Sequence, residues 1–229
     1  MVKLIDIRGV IVPTDDKWIY DWLEIQATSP DDVNKVLAAA AGEDVTVIIN
    51  SGGGDVQAGQ EIYTALRSYK GHVLIQVQSM AASAASVIAM AGESEISPVA
   101  QLMIHNVSTH SWGDHRDMEH AAEVLRNADR ALVNAYVGKT GKTEQEILDM
   151  MARETWMTAQ QAVEAGFVDR VMFEETKPAG SAFQLAASHN SGLLPMNVLE
   201  NIRKNFNRET AKAKAEAHYN YMILEGKVK

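Results

Sequence analysis

Five consecutive β-branched residues, Val45 to Ile49, run straight into Asn50-Ser51-Gly52-Gly53-Gly54. A run of that kind reads as a strand buried on both faces, as in a parallel sheet covered by helices. The glycines permit φ > 0 and close backbone approach, and a helical stretch with Ala58, Ile62, Ala65 and Leu66 follows them. The order then recurs. His72 to Val77 reads as a strand and Ser83 to Met90 as a small, apolar helix. Leu102 to Ile104 reads as a third short strand before a long amphipathic helix over Asp117 to Val137. This rhythm predicts an α/β layered domain with right-handed crossovers. Catalytic or ligand groups then belong in the strand-to-helix loops.

The flanks read differently. Lys3 to Val12 predicts a strand turning into a second strand that ends near Pro13. Ser29-Pro30-Asp31-Asp32 predicts a helix start capped by Ser29, with Gly42 as the stop. After Val171 the pattern degrades, which places the domain over residues 1–173 and a C-terminal extension over 174–229. The domain carries 13 Lys+Arg against 24 Asp+Glu, or −11; the extension carries 8 against 6, or +2. Linker-like segments, Pro178-Ala179-Gly180-Ser181 and His189-Asn190-Ser191-Gly192, precede Val198, Leu199, Ile202 and Phe206 at helical spacing. An amphipathic helix that forms on a partner, serving assembly or self-processing, is the expectation there.

Net charge of −9 argues against nucleic acid as a partner. The absence of cysteine removes disulfides and thiolate chemistry. The N-terminus meets acidic residues too early for a signal peptide, and no apolar run approaches the ~18 residues that span a bilayer, so no membrane contact and a cytoplasmic address are expected.

Two loops carry unusual chemistry. Gln78 to Gly92, QSMAASAASVIAMAG, sets Ser83 at the mouth of a helix built of small and apolar residues. Unpaired amides and the positive dipole end at such a mouth favour the oxyanion formed when a serine attacks a carbonyl. A serine there is also a preferred helix cap. The glycine cluster can aim amides into the same site as an anion-binding nest, although no Gly-Lys-Ser/Thr follows at phosphate-loop spacing. Ser79 and Ser86 are rival nucleophiles, one before the helix and one nearly a turn inside it. His105 ends the apolar Leu102-Met103-Ile104, where an imidazole can reach into a cleft. His110, His115 and His120 step by five and share no helix face, so no metal site is expected.

Asn50-Ser51-Gly52-Gly53-Gly54, Ala81-Ala82-Ser83-Ala84, Met103-Ile104-His105, Trp156-Met157-Thr158-Ala159 and Glu164-Ala165-Gly166-Phe167-Val168-Asp169 occur in the order found in the Clp protease proteolytic subunit family, which the chain resembles. The Ala81 to Gly92 run and Glu154-Thr155-Trp156-Met157 are similar to the phage and prophage branch, the Clp-related head maturation proteases. The resemblance implies a spiral of repeated β-β-α units, shared with crotonases, with a protruding handle helix. It implies a serine endopeptidase with Ser83 as nucleophile, His105 as general base and Glu154 as the carboxylate orienting the histidine. Glu154 stands where the family usually has aspartate, so Asp149 and Asp169 are held in reserve. Backbone amides of Gly53, Gly54 and Ala84 are implied as the oxyanion hole, with Gly52 standing where the family usually has proline.

No cofactor is implied. The implied partners are polypeptide substrates, phage capsid or scaffold proteins among them, and further copies of the chain in a ring, in the host cytoplasm or a phage prohead. Ala121, Leu125, Ala128, Leu132, Ala135 and Tyr136 on the long helix offer the apolar side for that association. The short N-terminus resembles the family without its axial-pore segment, which counts against dependence on a separate AAA+ unfoldase. Two alternatives stand beside this reading: an inactive ring or scaffold subunit of the same fold, and a crotonase-type acyl-CoA enzyme. The second has no basic feature suited to a CoA phosphate; a Ser-Lys variant using Lys70 is made unnecessary by His105.

Overall fold

The computed structural model describes residues 2–173, so the extension expected over 174–229 lies outside the described residues. The sheet is built on three long parallel strands, β1 (Lys3–Ile11), β3 (Val45–Gly54) and β4 (Val73–Ala82). The short β2 (Ala27–Thr28) edges β1, and β5 (Glu93–Ile96) followed by β8 (Arg170–Val171) continues from β4, all in parallel. Beyond residue 79 β4 changes neighbour. Its last residues pair with β6 (Gln101–Ile104), which forms with β7 (Thr155–Thr158) the one antiparallel pair among the described residues. The result is the expected mixed α/β architecture with a parallel sheet.

β1 is one strand where a strand, turn and second strand were expected. Gly9, at φ +70°, absorbs the irregularity as a bulge, and the register against β3 shifts between Arg8 and Val10. The β-branched run of β3 buries Val45, Val47 and Ile49 but leaves Thr46 and Ile48 half-exposed, so its two faces are unequal. The helices explain this asymmetry. α2 (Pro30–Ala40), α3 (Val56–Ser68) and α4 (Ala84–Ala89) supply Val33, Ile62, Leu66 and Ile88 to one core with Ile5, Ile7, Ile49 and Ile75. Leu4 on the other face stays exposed.

Local signals set the helix ends. Ser29 caps α2 through a reciprocal box with Asp32, and Ala41 rather than Gly42 takes the left-handed terminating conformation. Asp114 forms the same box at the start of α5 (His115–Thr140), which runs longer than expected at both ends. The C-terminal half of α5 enters the core through Leu132, Val133 and Tyr136, while most of the half before Ala128 is exposed. Thr143 and Thr158 box the starts of α6 (Glu144–Ala152) and α7 (Ala159–Glu164).

Asp169 closes the fold. Its Oδ2 accepts the Ser94 amide at 2.7 Å, the Ser94 hydroxyl at 3.1 Å and Lys139 Nζ at 2.5 Å, joining β5 to α5. Burial alone would raise this carboxyl, but the Lys139 ammonium and the Ser94 donors outweigh it and hold it below the ordinary carboxylate value. A lowered folded value means stability that is full above the unfolded value of about 3.9 and is lost as pH falls through the folded one. The side chain is 45% exposed, so solvent screening keeps the ion pair to about 1 kcal/mol or less. Asp169→Asn is expected to lower stability by that order at pH 7 and by less at pH 3. Urea unfolding of both proteins at the two pH values checks it; an unchanged difference would assign the loss to something other than this charge.

Candidate active site

Ser83 follows the last residue of β4 and precedes α4, at φ +56° and ψ −127°. Positive φ is costly for a residue with a Cβ, about 1–3 kcal/mol, and persists only where neighbours enforce it. They do so from both sides. The Ser83 amide donates to the Met103 carbonyl on β6 at 3.0 Å. Its carbonyl accepts the Ser86 amide at 2.9 Å and the Ser86 hydroxyl at 2.6 Å, and that hydroxyl also shares a hydrogen bond of 2.8 Å with buried Tyr136. Ser86 is thereby structural. Ser79 lies exposed on β4.

Ser83 occupies the cap position of α4 but makes no side-chain cap hydrogen bond. Its Oγ instead lies 2.8 Å from His105 Nε2. The histidine is delivered by β6, whose pairing with the end of β4 sets Met103 beside Ala82 and Ile104 one residue before the imidazole. A serine and a histidine 22 residues apart are thus placed by adjoining strands, with the elbow tilting the hydroxyl out of the helix and toward the ring.

The glycine cluster is not a loop after β3 but its last stretch. Gly53, at φ +95°, lies so near the elbow that a Cβ there would come within 2.7 Å of the Ser83 Cβ and 3.0 Å of the Ala84 nitrogen. Its amide donates to Ser51 Oγ at 3.0 Å. The Gly53 N–H, expected as an oxyanion donor, is engaged by Ser51 in this structure, and the bare Cα leaves room for the elbow. Ala84, the first residue of α4, has an amide with no intrahelical acceptor. Gly54, at φ +151°, packs against the Ile11 backbone, where a Cβ would meet the carbonyl oxygen.

The expected carboxylates are distributed less simply. Antiparallel pairing of Ile104 with Thr155 brings Glu154 next to the strand end that carries His105. Glu154 sits at φ +51°, however, and its exposed carboxylate accepts the Trp156 indole N–H at 3.1 Å. The structure shows no Glu154 to His105 hydrogen bond among the described residues. Asp149 accepts from Gln145 one turn away on α6, and Asp169 is held by Ser94 and Lys139. Asp129, which sequence reasoning missed, is the buried acid in this neighbourhood: its Oδ1 accepts the amide of Val107, two residues beyond His105, at 2.7 Å. Its signal was an acidic residue inside the apolar stripe between Leu125 and Leu132.

Comparison with known proteins adds an independent line. A family model described as Clp protease matches residues 24–175. The ATP-dependent Clp protease proteolytic subunit 1 of Chlamydia abortus is 30% identical over 183 residues, covering 75% of this chain and 89% of that protein. Subunit 2 of Tropheryma whipplei is 30% identical over 58% of this chain and 75% of its own length, and the Bacteroides fragilis subunit 31% identical over 58% and 66%. The chain belongs to the Clp protease family.

Membership makes the protein a Clp-type peptidase and accounts for the order of its motifs. The Clp fold here depends on the bare Cα of Gly53 against the Ser83 elbow. Gly53→Ala is expected to strain the backbone by about 1–3 kcal/mol and push the elbow aside. Displacement of a reacting atom by about 1 Å costs on the order of 10² in rate. Peptide turnover alongside a urea melt checks both; a variant with wild-type turnover would show that the contact does not set the position of Ser83.

Proposed function

We propose that this chain is a serine endopeptidase in which Ser83 is the nucleophile and His105 the general base. The observation that carries the reading is the cap-position serine whose hydroxyl faces His105 Nε2 at 2.8 Å instead of capping α4. His105 takes the Ser83 proton as Oγ bonds to the peptide carbonyl carbon, then gives it to the departing amine nitrogen as the C–N bond breaks. Water attacks the resulting ester, His105 takes its proton, and the proton returns to Oγ as the acid leaves. The amides of Gly54 and Ala84 are the oxyanion donors in this proposal, with Gly53 keeping the space beside them open.

Labelling by a fluorophosphonate tests the reading directly. The wild type is expected to react at Ser83, and Ser83→Ala to lose both labelling and peptide hydrolysis, the latter by on the order of 10⁶. Full activity in Ser83→Ala would sink it, and an unreactive, inactive wild type would favour the inactive ring or scaffold subunit.

The proposal includes self-assembly into a ring through the exposed half of α5, where Met118 and Val124 stand open to solvent on a helix whose other half is in the core. Light scattering at micromolar concentration should return the mass of an oligomer; an active monomer would remove the ring. Residues 174–229 are proposed to serve that assembly or self-processing, outside the peptidase domain of residues 1–173. The likeness of the Ala81 to Gly92 run to the phage and prophage branch supports capsid or scaffold proteins as the substrates.

A further inference from the structure

One buried acid lies beside this site without a part in the steps above. Asp129, on the core-facing half of α5, is only 8% exposed. Its Oδ1 accepts the Val107 amide at 2.7 Å, which clamps the segment leaving β6 onto α5 just past His105. That is the one hydrogen bond Asp129 makes among the described residues, so its second oxygen is uncommitted. No cation of α5 forms an ion pair with it among the described residues: Arg116, Arg130 and Lys139 pair with Asp114, Glu144 and Asp169, and Arg126, three residues before it, makes no ion pair with it. A carboxylate withdrawn from water without a cation is expensive to keep ionised. Burial raises its carboxyl above the ordinary value, and the Val107 amide and the charge of His105 pull it back.

His105 shows the complementary deficit. For Nε2 to accept the Ser83 proton, the ring hydrogen must sit on Nδ1, and that N–H needs an acceptor. Among the described residues His105 hydrogen-bonds only Ser83. An acid lacking a cation thus stands beside a base that becomes a cation in the transition state.

We propose that Asp129 is the positioning carboxylate of this active site, holding His105 in the competent tautomer and stabilising its imidazolium, the role that family resemblance gives to Glu154. This rests on the Ser83 and His105 reading. The two side chains share no hydrogen bond in this structure, and the proposal requires one bridging water or a rotation on substrate binding to join them. Glu154 is nearer along the strand register, but its carboxylate is solvent-exposed and engaged by Trp156. Water screens an exposed charge several-fold more strongly than the interior does.

The test compares Asp129→Asn, Asp129→Glu and Glu154→Gln in the full chain, with fluorophosphonate labelling of the wild type as the gate. Asparagine keeps the Oδ1 acceptor for Val107, and circular dichroism and sizing check fold and assembly. On a short fluorogenic peptide, Asp129→Asn is expected to lose about 10²- to 10⁴-fold in kcat with KM held within about threefold. Asp129→Glu should recover part of that loss, and Glu154→Gln should lose less than about tenfold. A kcat for Asp129→Asn within about tenfold of wild type, or a loss in Glu154→Gln equal to or larger than that in Asp129→Asn, would overturn the assignment. Should Asp129→Asn not fold, Glu154→Gln decides alone: a loss of about 100-fold or more rejects Asp129, and less than about tenfold supports it. A wild type that the fluorophosphonate labels at Ser83, with Asp129→Asn unimpaired, would remove only the Asp129 assignment. A wild type that is not labelled would remove the peptidase reading and this one with it.

Discussion

The Ser83 backbone is the constraint on which the rest of the site depends. At φ +56° it stores strain that persists only because its neighbours enforce it, one of them local and the others brought in from β6 and α5. Met103 on β6 fixes the amide, and Ser86, itself tied to Tyr136 on α5, fixes the carbonyl. Tyr136 is wholly buried, and burial drives its phenol far above the ordinary value, which keeps it neutral and available as a hydrogen-bond partner. The elbow therefore reports on the integrity of β4, β6 and α5 together. Small residues make this crowding feasible: a Cβ on Gly53 would strike Ser83, and one on Gly59 would come within 2.9 Å of the Ala84 methyl.

What was legible in the sequence follows from how local each determinant is. The β3 run, the Ser29 cap and the apolar helix after Ser83 are written in adjacent residues, and their elements appear where those residues stand. Ser83 and His105, which the structure brings to 2.8 Å of each other, could be singled out because each lies in a short motif with family precedent. Less was legible where the deciding partner is distant. Gly9 becomes a bulge because Gln26 crowds it, and a Cβ there would meet the Gln26 carbonyl oxygen at 1.9 Å. Nothing near residue 9 announces that neighbour. Likewise the Gly53 amide is spent on Ser51, a local hydrogen bond that only the strand geometry of the glycine cluster reveals.

Carboxylates illustrate the same limit more sharply. The sequence puts Glu154 first, by its place two residues before Trp156, and holds Asp149 and Asp169 in reserve as acids within reach of the family pattern. Their environments separate them: an indole partner in solvent, a glutamine one turn away, and a lysine with two serine donors. Asp129 lies on a helix whose sequence suggests an interface, and its place near His105 exists only once the segment after β6 docks its Val107 amide on α5. Burial, which no single position in a sequence specifies, is what raises the electrostatic worth of one acid above the others.

The two roles proposed for α5, assembly and support of the histidine, fall on one element. Val124, exposed, and Tyr136, buried, are twelve residues apart, or about 18 Å along the axis at 1.5 Å per residue. Asp129 lies between them, bonded to the segment that carries His105. The helix runs 26 residues between a boxed start and a left-handed stop, so its exposed and buried halves belong to one continuous element. In the proposed assembly, a copy that settles on the exposed half bears on the same helix that holds the Val107 amide and the Tyr136 to Ser86 bond, which ties the histidine and the serine elbow to how α5 is held.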